Sequence, residues 1–291
     1  MGKLRLSQTV KPYITLARPK HWLKNMLIFV PLLYARKLFV PGLFLSTVQC
    51  FMAFCLVSSA VYIINDAIDV EKDRLHPIKK KRPIASKQIE TNKGVMFSII
   101  LLTAGFLFAI LRYGNYYVAL FIAVYFALNL AYSFVLKHYV IVDCFCIAAG
   151  FVLRVFAGGA ASDASITEWL FLTMIAASLF MAFGKRQGEI TRITDTSTTR
   201  KVLASYDMQF LNGMTFVCAG LSIAFYALWA MTSVRLMVYT VPIIIFIICR
   251  YLLIAGGNDS YGDPTSTIVG DKSLITALSI LVLLSAILLY L

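Results

Sequence analysis

Long apolar runs separated by short polar segments dominate the chain. Each run approaches the roughly 20 residues that an α-helix needs to cross a bilayer, and none alternates apolar and polar positions as an outer-membrane β-strand does. Because backbone N–H and C=O groups in lipid need partners within their own segment, the runs predict an all-α bundle of about nine membrane-spanning helices. The predicted spans are 22–39, 42–64, 95–111, 116–136, 140–161, 169–183, 210–231, 236–255 and 274–291.

Composition agrees with that pattern and excludes several classes of protein. Of 291 residues, 60% are hydrophobic and 14% are charged, and the mean hydropathy is +0.80, whereas a soluble domain is about 45–50% apolar and about 25% charged. A disordered chain, a disulfide scaffold and an ordinary soluble enzyme are therefore excluded. Because no Gly-, Ser- or Pro-rich linker divides the chain, we expect one domain over residues 1–291 with two hydrophilic loops, 66–93 and 185–209.

The charge of the chain is strongly positive and unevenly distributed. Lys and Arg total 27 against 14 Asp and Glu, which gives a formal net charge of +13. Cations concentrate in the cytoplasmic loops of membrane proteins, so the excess indicates a membrane partner and not nucleic acid. A cytoplasmic N-terminus puts both hydrophilic loops on the cytoplasmic side, and nine spans put the C-terminus outside. We expect a multi-pass protein of the inner (plasma) membrane. The cations left on the opposite side are Arg36, Lys37, Arg112 and Arg235.

A group of acidic residues follows the second predicted span. The segment N-D-A-I-D-V-E-K-D places Asn65, Asp69 and Asp73 four residues apart, with Asp66 beside them, so a continuing helix presents them on one face. Like charges repel at that spacing, whereas Mg²⁺ prefers such oxygen ligands and shares them with substrate phosphates. We predict a Mg²⁺ site on these four residues. The alternative is a solvated helix end whose acids pair with neighbouring lysines.

A basic run comes directly after the acids. Pro77 and Pro83 prevent a continuous helix, so we expect the chain to turn the cations of 79–82 back toward the acids. Metal on one side and Lys or Arg on the other suit a polyphosphate, and Lys79 and Arg82 are candidate ligands. Attraction of the same run to anionic lipid is a second interpretation, compatible with the first.

These two motifs resemble those of a known family. N-D-A-I-D-V-E-K-D followed by H-P-I-K-K-K-R-P-I-A, on a basic membrane protein of about nine helices, is similar to the UbiA-type superfamily of intramembrane transferases. The resemblance covers essentially the whole chain. It implies a helical bundle with a central cavity, open laterally to lipid and capped by loops on the cytoplasmic side. It also implies a Mg²⁺-bound diphosphate at the acidic motif.

The second hydrophilic loop differs from that of the members that prenylate aromatic rings. Those members carry a second acidic motif, D-x-x-x-D, after the sixth helix. This chain reads G-K-R-Q-G-E-I-T-R-I-T-D there, and Asp195 is followed four residues later by Thr199. Lys185 and Arg186 are instead suited to bind a phosphate directly, without a metal. One metal-binding motif and one cationic motif fit two separate phosphate groups.

Three further motifs narrow the resemblance. K-R-x-x-E, which ends at Glu189, together with G-F-V-L-R-V-F-A-G-G at 150–159 and R-P-K-H-W-L-K-N at 18–25, is similar to the decaprenyl-phosphate phosphoribosyltransferase branch. That resemblance implies Mg²⁺-dependent transfer of 5-phosphoribosyl from phosphoribosyl pyrophosphate (PRPP) to a polyprenyl phosphate, with release of pyrophosphate. Two alternatives stay open: an aromatic prenyltransferase of the same fold, with 4-hydroxybenzoate or a related acceptor, and a transporter or lipid-binding protein without chemistry.

Several other polar residues are candidate ligands for the phosphates. Catalysis is expected of Asp66, Asp69, Asp73, Lys185 and Arg186, and substrate binding of Lys24, Asn65, Lys79, Arg82, Lys137, Arg154 and Glu189. An arginine near a helix centre usually points into a cavity, so Arg154 is interpreted either as a phosphate ligand or as the partner of Asp143. Lys137 is either a ligand or an anchor at the lipid interface. Asp271 is either a polar contact or an exposed loop acid.

Overall fold

The computed structural model describes residues 2–111, 115–191, 203, 205–255 and 264–291, and this part of the chain is helical without strands. Arg112, Asp195 and Thr199, which are named above, lie outside it. The α-helices are α1 Gly2–Ala17, α2 Phe29–Tyr34, α3 Pro41–Ile68, α4 Val70–Leu75, α5 Thr91–Ile110, α6 Tyr116–Phe134, α7 Val142–Ala161, α8 Glu168–Thr191, α9 Met208–Ser233, α10 Val241–Ala255, α11 Pro264–Gly270 and α12 Lys272–Tyr290. Short 3₁₀ helices cover Pro19–Ile28, Lys79–Lys81, Leu136–His138 and Arg235–Thr240.

The chain forms two compact units. The first contains Met1–Leu32, Val40–Val135 and Leu153–Ala164, and the second contains Leu33–Phe39, Leu136–Val152 and Ser165–Leu291. In the first, α3 packs against α5 and α6, and the core includes Ile28, Phe54, Val57, Ile122 and Ala157. In the second, α8 packs against α9, and the core includes Leu179, Phe183, Leu211, Ile248 and Leu274. The expectation of one domain over 1–291 stays a prediction.

Eight helices of the described chain are long and apolar enough to cross a membrane. They coincide with eight of the nine predicted spans, and most of their ends differ from the predicted ones by a few residues. The predicted all-α membrane fold is therefore confirmed. Proline marks the start of one of them: Pro41 is the first residue of α3, where its missing N–H is not needed by the helix.

The first predicted span, 22–39, has a different form from the one expected. Ten residues, Pro19–Ile28, form a 3₁₀ helix, which is followed directly by the six residues of α2. Pro31 explains the change, because an α-helix running through it would need an N–H bond to Leu27 and would clash with that carbonyl. Pro31 is the third residue of α2, where a backbone N–H would have no partner within the helix, so its absence costs nothing.

The second predicted loop, 185–209, is partly helical. Helix α8 continues through Lys185, Arg186 and Glu189 to Thr191, whereas the apolar run ends at Phe183. The reason is that Lys, Arg, Gln and Glu are good helix formers, so polarity ends the membrane span without ending the helix. The cationic motif therefore lies on the last two turns of α8 and not in a loop.

Gly158, within the 150–159 motif, allows a close approach of two backbone segments. A methyl group added to its Cα would lie 2.1 Å from the carbonyl oxygen of Ile28, at the end of the first 3₁₀ helix. That distance is far below van der Waals contact, and a backbone atom cannot move aside as a side chain can. Only glycine fits this position without displacing the 3₁₀ helix from α7.

We predict that Gly158→Ala lowers stability by about 1–3 kcal/mol through overpacking. Gly220→Ala is the matched control, because Gly220 is also helical and has open space where its Cβ would be. The melting temperature of the purified protein in detergent should fall for the first variant and stay the same or rise for the second. Equal melting temperatures for the two variants would contradict this packing.

Candidate functional site

The acidic residues lie where α3 leaves the apolar region. Asp69 interrupts the helix with φ −92° and ψ 14°, yet its N–H bonds to the Asn65 carbonyl at 2.9 Å and its own carbonyl accepts the Asp73 N–H at 2.9 Å. Helical register is thus kept into α4. Asp66 and Asp73, seven residues apart, are both buried, with 3% and 4% of their surface exposed. The expected shared face of the four residues is therefore present.

Arg82 joins two of the acids. Its guanidinium donates to Asp66 Oδ1 at 3.0 Å and to Asp73 Oδ2 at 2.5 Å. Helix α4 ends at Leu75, just before Pro77, and the chain then reverses through the 3₁₀ turn Lys79–Lys81. The predicted return of the basic run toward the acids is confirmed for Arg82. Lys80 and Lys81 are exposed, which leaves the lipid-anchor interpretation of this run open.

Arg18 is a member of this cluster that the sequence reasoning did not assign to the site. Its guanidinium donates to Asp66 Oδ1 at 2.5 Å, across 48 positions of sequence, and lies 5.2 Å from the centre of the Tyr62 ring. Arg18 has φ 53°, a left-handed conformation that costs energy for a residue with a Cβ and is concentrated at functional sites. Its place in the R-P-K-H-W-L-K-N motif was the available signal.

The side chains of this cluster offer oxygen donors of the kind that Mg²⁺ binds. Asp66 Oδ2 is buried and has no hydrogen-bond partner, which leaves a carboxylate oxygen for a cation. Asn65 Oδ1 accepts from Ser133 Oγ at 2.5 Å and keeps a second lone pair. Within the described residues no group of three or more His, Cys, Asp or Glu side chains is close enough to enclose a metal. These residues fit Mg²⁺, which completes its shell with water and phosphate oxygens.

His76 shapes the loop between the acids and Arg82. Its Nδ1 accepts from the backbone N–H groups of Ile78 and Lys79 at 3.2 and 3.3 Å. Partial burial and the positive charge of Lys79 lower the pKa of His76, which favours the neutral ring that this acceptor role requires. His76 therefore holds the 3₁₀ turn. Lys79, beside it, is half-buried, and its predicted role as a phosphate ligand stays a prediction.

Arg154 belongs to a buried polar cluster of the first unit. It donates to Asn25 Oδ1 at 2.7 Å and to the Tyr125 hydroxyl at 3.0 Å, and its Cζ lies 4.7 Å from the centre of the Tyr125 ring. Asn25 in turn donates to Ser58 Oγ at 3.3 Å. Asp143, the alternative partner considered above, is paired with Arg186 instead. Lys24, next to Asn25, is half-buried, and its contact with phosphate stays a prediction.

In the second unit, Arg186 is enclosed by carboxylates. The side chains of Arg186 and Asp143 are both 0% exposed, with Arg186 Nε 2.6 Å from Asp143 Oδ2, and Glu189 pairs with Arg186 Nη1. The Tyr206 hydroxyl donates to Asp143 Oδ1 at 2.5 Å and accepts the Ile141 N–H at 2.7 Å. Burial and the bond to Asp143 raise the pKa of Tyr206. Arg186 is thus placed as an internal cation, and its predicted direct contact with phosphate is not what this geometry favours.

The remaining candidates of the second unit are placed differently. Lys185, adjacent to Arg186, is half-buried, and among the described residues its side chain makes no ion pair. Lys137 is 7% exposed, which argues against a simple interface anchor. Asp271 caps α12 by accepting the Leu274 N–H at 2.8 Å and pairs with Arg250 at 2.7 Å. The bond from Arg250 and that cap lower the pKa of Asp271, so it is a structural contact.

Comparison with known proteins identifies the family. The sequence profile of the UbiA prenyltransferase family matches residues 26–266. The chain belongs to the UbiA prenyltransferase family. Among its relatives is the decaprenyl-phosphate phosphoribosyltransferase of Mycolicibacterium smegmatis, 35% identical over 231 residues, which are 78% of this chain and 72% of that protein. The Mycobacterium tuberculosis protein of the same name is 32% identical over 272 residues, 88% of this chain and 87% of that one.

A solved member of the UbiA family has the same fold. The structure of a UbiA homologue from Archaeoglobus fulgidus bound to GPP and Mg²⁺ superposes with a TM-score of 0.72 over 96% of this chain and 100% of that chain, at 16% identity. The predicted resemblance, the membrane location and the class of enzyme, a transferase, are confirmed. Divalent metal is used within the family.

We predict that Asp143→Asn lowers stability by about 3–5 kcal/mol, because Arg186 keeps its buried charge after losing a carboxylate partner. Removing both charges, with Asp143→Asn and Arg186→Gln together, should recover part of that loss. Glu71→Gln is the control. It breaks the exposed Arg74–Glu71 pair and should cost less than about 1 kcal/mol. Chemical denaturation in detergent measures all three variants, and an Asp143→Asn protein as stable as the control would contradict the pairing.

Proposed function

We propose that this protein transfers 5-phosphoribosyl from PRPP to a polyprenyl phosphate and releases pyrophosphate. Mg²⁺ would bind at the acidic cluster, which consists of Asn65, Asp66, Asp69 and Asp73. The single observation that carries the proposal is the pairing of buried acids with arginines, which leaves Asp66 Oδ2 unbonded. The names of the relatives supply the substrate class: both are decaprenyl-phosphate phosphoribosyltransferases, at 35% and 32% identity.

The acidic cluster is proposed to hold the diphosphate. Bound Mg²⁺ would neutralise the charge that grows on a departing pyrophosphate. Asp66, Asp69, Asp73 and Asn65 supply the oxygen ligands, and Arg82 supplies charge-assisted hydrogen bonds to phosphate oxygens. Because Asp66 and Asp73 are almost fully buried, their interactions with a bound ion are weakly screened by solvent. Lys24 and Lys79 are proposed as further contacts of the same group of phosphates.

The end of α8 is proposed to hold a second phosphate, that of the polyprenyl acceptor or the 5-phosphate of PRPP. Lys185 is the direct ligand in this proposal, because it is half-buried and Arg186 is already enclosed. Arg186, fixed by Asp143 and Glu189, positions the helical turn that carries Lys185. Lys137 is a further cation for the same purpose. A bare phosphate needs no metal when Lys and Arg donate to it.

The acceptor chemistry needs little from the protein beyond placement. A phosphate monoester is already an anion at neutral pH, so no side chain has to remove its proton. The difficulty is instead to bring together two anionic substrates that repel each other. Cations on the protein lower that repulsion and orient the reactants. This is consistent with the role of His76, whose Nδ1 is engaged in holding a turn.

The alternative is an aromatic prenyltransferase of the same fold, with a prenyl diphosphate donor. One observation favours it: the homologue of the same fold binds GPP and Mg²⁺. The basic end of α8 argues against it, because Lys185 and Arg186 occupy the place where a second acidic, metal-binding motif would be expected. We also propose that the acidic cluster and the end of α8 face the cytoplasm, which follows from the positive charge of the segments around them.

A single assay tests this function. Purified protein is incubated with radiolabelled PRPP, Mg²⁺ and a polyprenyl phosphate, and the expected result is label in a lipid product that EDTA abolishes. Asp73→Asn should lower that turnover about 100-fold, since it removes an oxygen ligand of the diphosphate site. Glu71→Gln, on the same short helix but exposed, should leave it unchanged.

Two outcomes would contradict the proposal. Product formed only from a prenyl diphosphate and 4-hydroxybenzoate would show an aromatic prenyltransferase. An Asp73→Asn protein with wild-type turnover of PRPP would show that the acidic cluster does not hold the diphosphate.

A further inference from the structure

Two arginine side chains, Arg18 and Arg82, already pair with the acidic cluster through Asp66. Asp66 Oδ1 accepts from Arg18 and from Arg82, at 2.5 and 3.0 Å, while Asp66 Oδ2 accepts from neither. Arg82 has a second carboxylate, Asp73. A divalent ion that arrives without a diphosphate therefore meets two guanidinium groups already on the Asp66 carboxylate. The positive charges of the ion and the guanidinium groups repel each other strongly at this spacing, because little solvent screens them.

The backbone on both sides of Arg18 is held by hydrogen bonds, whereas its side chain is partly exposed. Ser59 Oγ donates to the Ala17 carbonyl at 2.7 Å and accepts from Trp22 Nε1 at 2.9 Å, which ties both flanks of Arg18 to α3. The left-handed φ of Arg18 is held by these contacts. The guanidinium lies beside the face of Tyr62, and the Arg18 side chain is 20% exposed. A shift from Asp66 to a neighbouring anion is thus a side-chain movement only.

A diphosphate reverses the electrostatic balance. It carries several negative charges and presents oxygens that match the planar fork of an arginine. With a metal and a diphosphate bound, Asp66 would be a ligand of the ion, and the Arg18 guanidinium would donate to a phosphate oxygen instead of to Asp66. When a metal ion binds without a diphosphate, no phosphate oxygen is present to accept the hydrogen bonds that Arg18 gives up. The binding of metal and the binding of diphosphate are therefore coupled, and the coupling must be reciprocal.

We propose that Arg18 is a substrate-binding residue of this site: it neutralises Asp66 when no ligand is bound and transfers its charge to the diphosphate when a Mg²⁺–diphosphate binds. This inference rests on the proposed diphosphate-binding role of the acidic cluster. Arg18 then opposes the binding of metal alone and favours the binding of metal with diphosphate. It limits occupation of the site by a bare ion.

The test measures binding of the full-length protein in detergent, without turnover. Isothermal titration gives the affinity for Mg²⁺ alone and then for inorganic pyrophosphate at saturating Mg²⁺. For Arg18→Gln we expect Mg²⁺ alone to bind about tenfold more tightly and pyrophosphate about tenfold more weakly, within the usual range of coupling between sites. Arg74→Gln is the matched control, because Arg74 pairs with Glu71 and not with Asp66, and it should change neither affinity.

Weaker binding of both ligands in Arg18→Gln, or no change in either, would overturn the proposal. Arg18→Lys keeps the charge and loses the fork, so it covers the case in which the glutamine variant does not fold. It should bind Mg²⁺ as the wild type does and pyrophosphate several-fold more weakly. Wild-type pyrophosphate affinity in Arg18→Lys would also overturn the proposal.

The outcome is separable from that of the proposed function. If Arg18→Gln binds Mg²⁺ more tightly and pyrophosphate more weakly, but the wild type makes no phosphoribosyl lipid from PRPP, the role of Arg18 is supported and the proposed reaction is refuted. If the wild type makes the lipid product but the two affinities do not shift in opposite directions, the reaction is supported and the role of Arg18 is refuted.

Discussion

The structure of the first unit depends on keeping carboxylates buried at the end of a membrane helix. A buried, unpaired carboxylate is costly, and Asp66 and Asp73 are 3% and 4% exposed. Arg82 and Arg18 supply the compensating charge from two different parts of the sequence. The reversal of the chain after α4 and the strained backbone at Arg18 both bring a guanidinium to these acids. The acids of this cluster are therefore already paired with cations of the protein itself.

In the second unit, too, a buried charge is stabilised by ion pairs, but with the signs exchanged. Here the buried group is a cation, Arg186, and the compensating groups are Asp143 and Glu189. Tyr206 fixes Asp143 by a hydrogen bond. Arg186 is paired with carboxylates of the protein, and the neighbouring Lys185 is the proposed cation for a substrate phosphate. Two adjacent residues of the same charge thus have different environments, and we assign them different roles.

Features encoded in short stretches of sequence were predictable. Hydropathy located eight spans, because the length of an apolar run is fixed by the bilayer. Pro77 and Pro83 predicted the reversal that places Arg82 on the acids, since proline acts locally on the backbone. The change of type in the first span was also local in origin, at Pro31, although hydropathy alone does not distinguish a 3₁₀ from an α-helix.

Features that depend on tertiary contacts were not predictable. Arg18 lies 48 residues from Asp66 in sequence, so its motif could indicate a functional role but not its partner. The enclosure of Arg186 depends on Asp143, which belongs to another element and is held by Tyr206, so the K-R pair alone does not indicate that Arg186 is paired within the protein. The continuation of α8 past Phe183 is not visible in hydropathy, because polar residues end a membrane span without ending a helix.

The central claim is that the acids at the end of α3 hold a metal with a diphosphate. The most direct test is an anomalous difference map from crystals grown with Mn²⁺, as a substitute for Mg²⁺, and pyrophosphate. A manganese peak within about 2.3 Å of an Asp66 oxygen, with pyrophosphate bonded to it, is the predicted result. A map in which the manganese and the pyrophosphate both lie away from Asp66 and Asp73, with Arg82 still bridging these acids, would contradict the account.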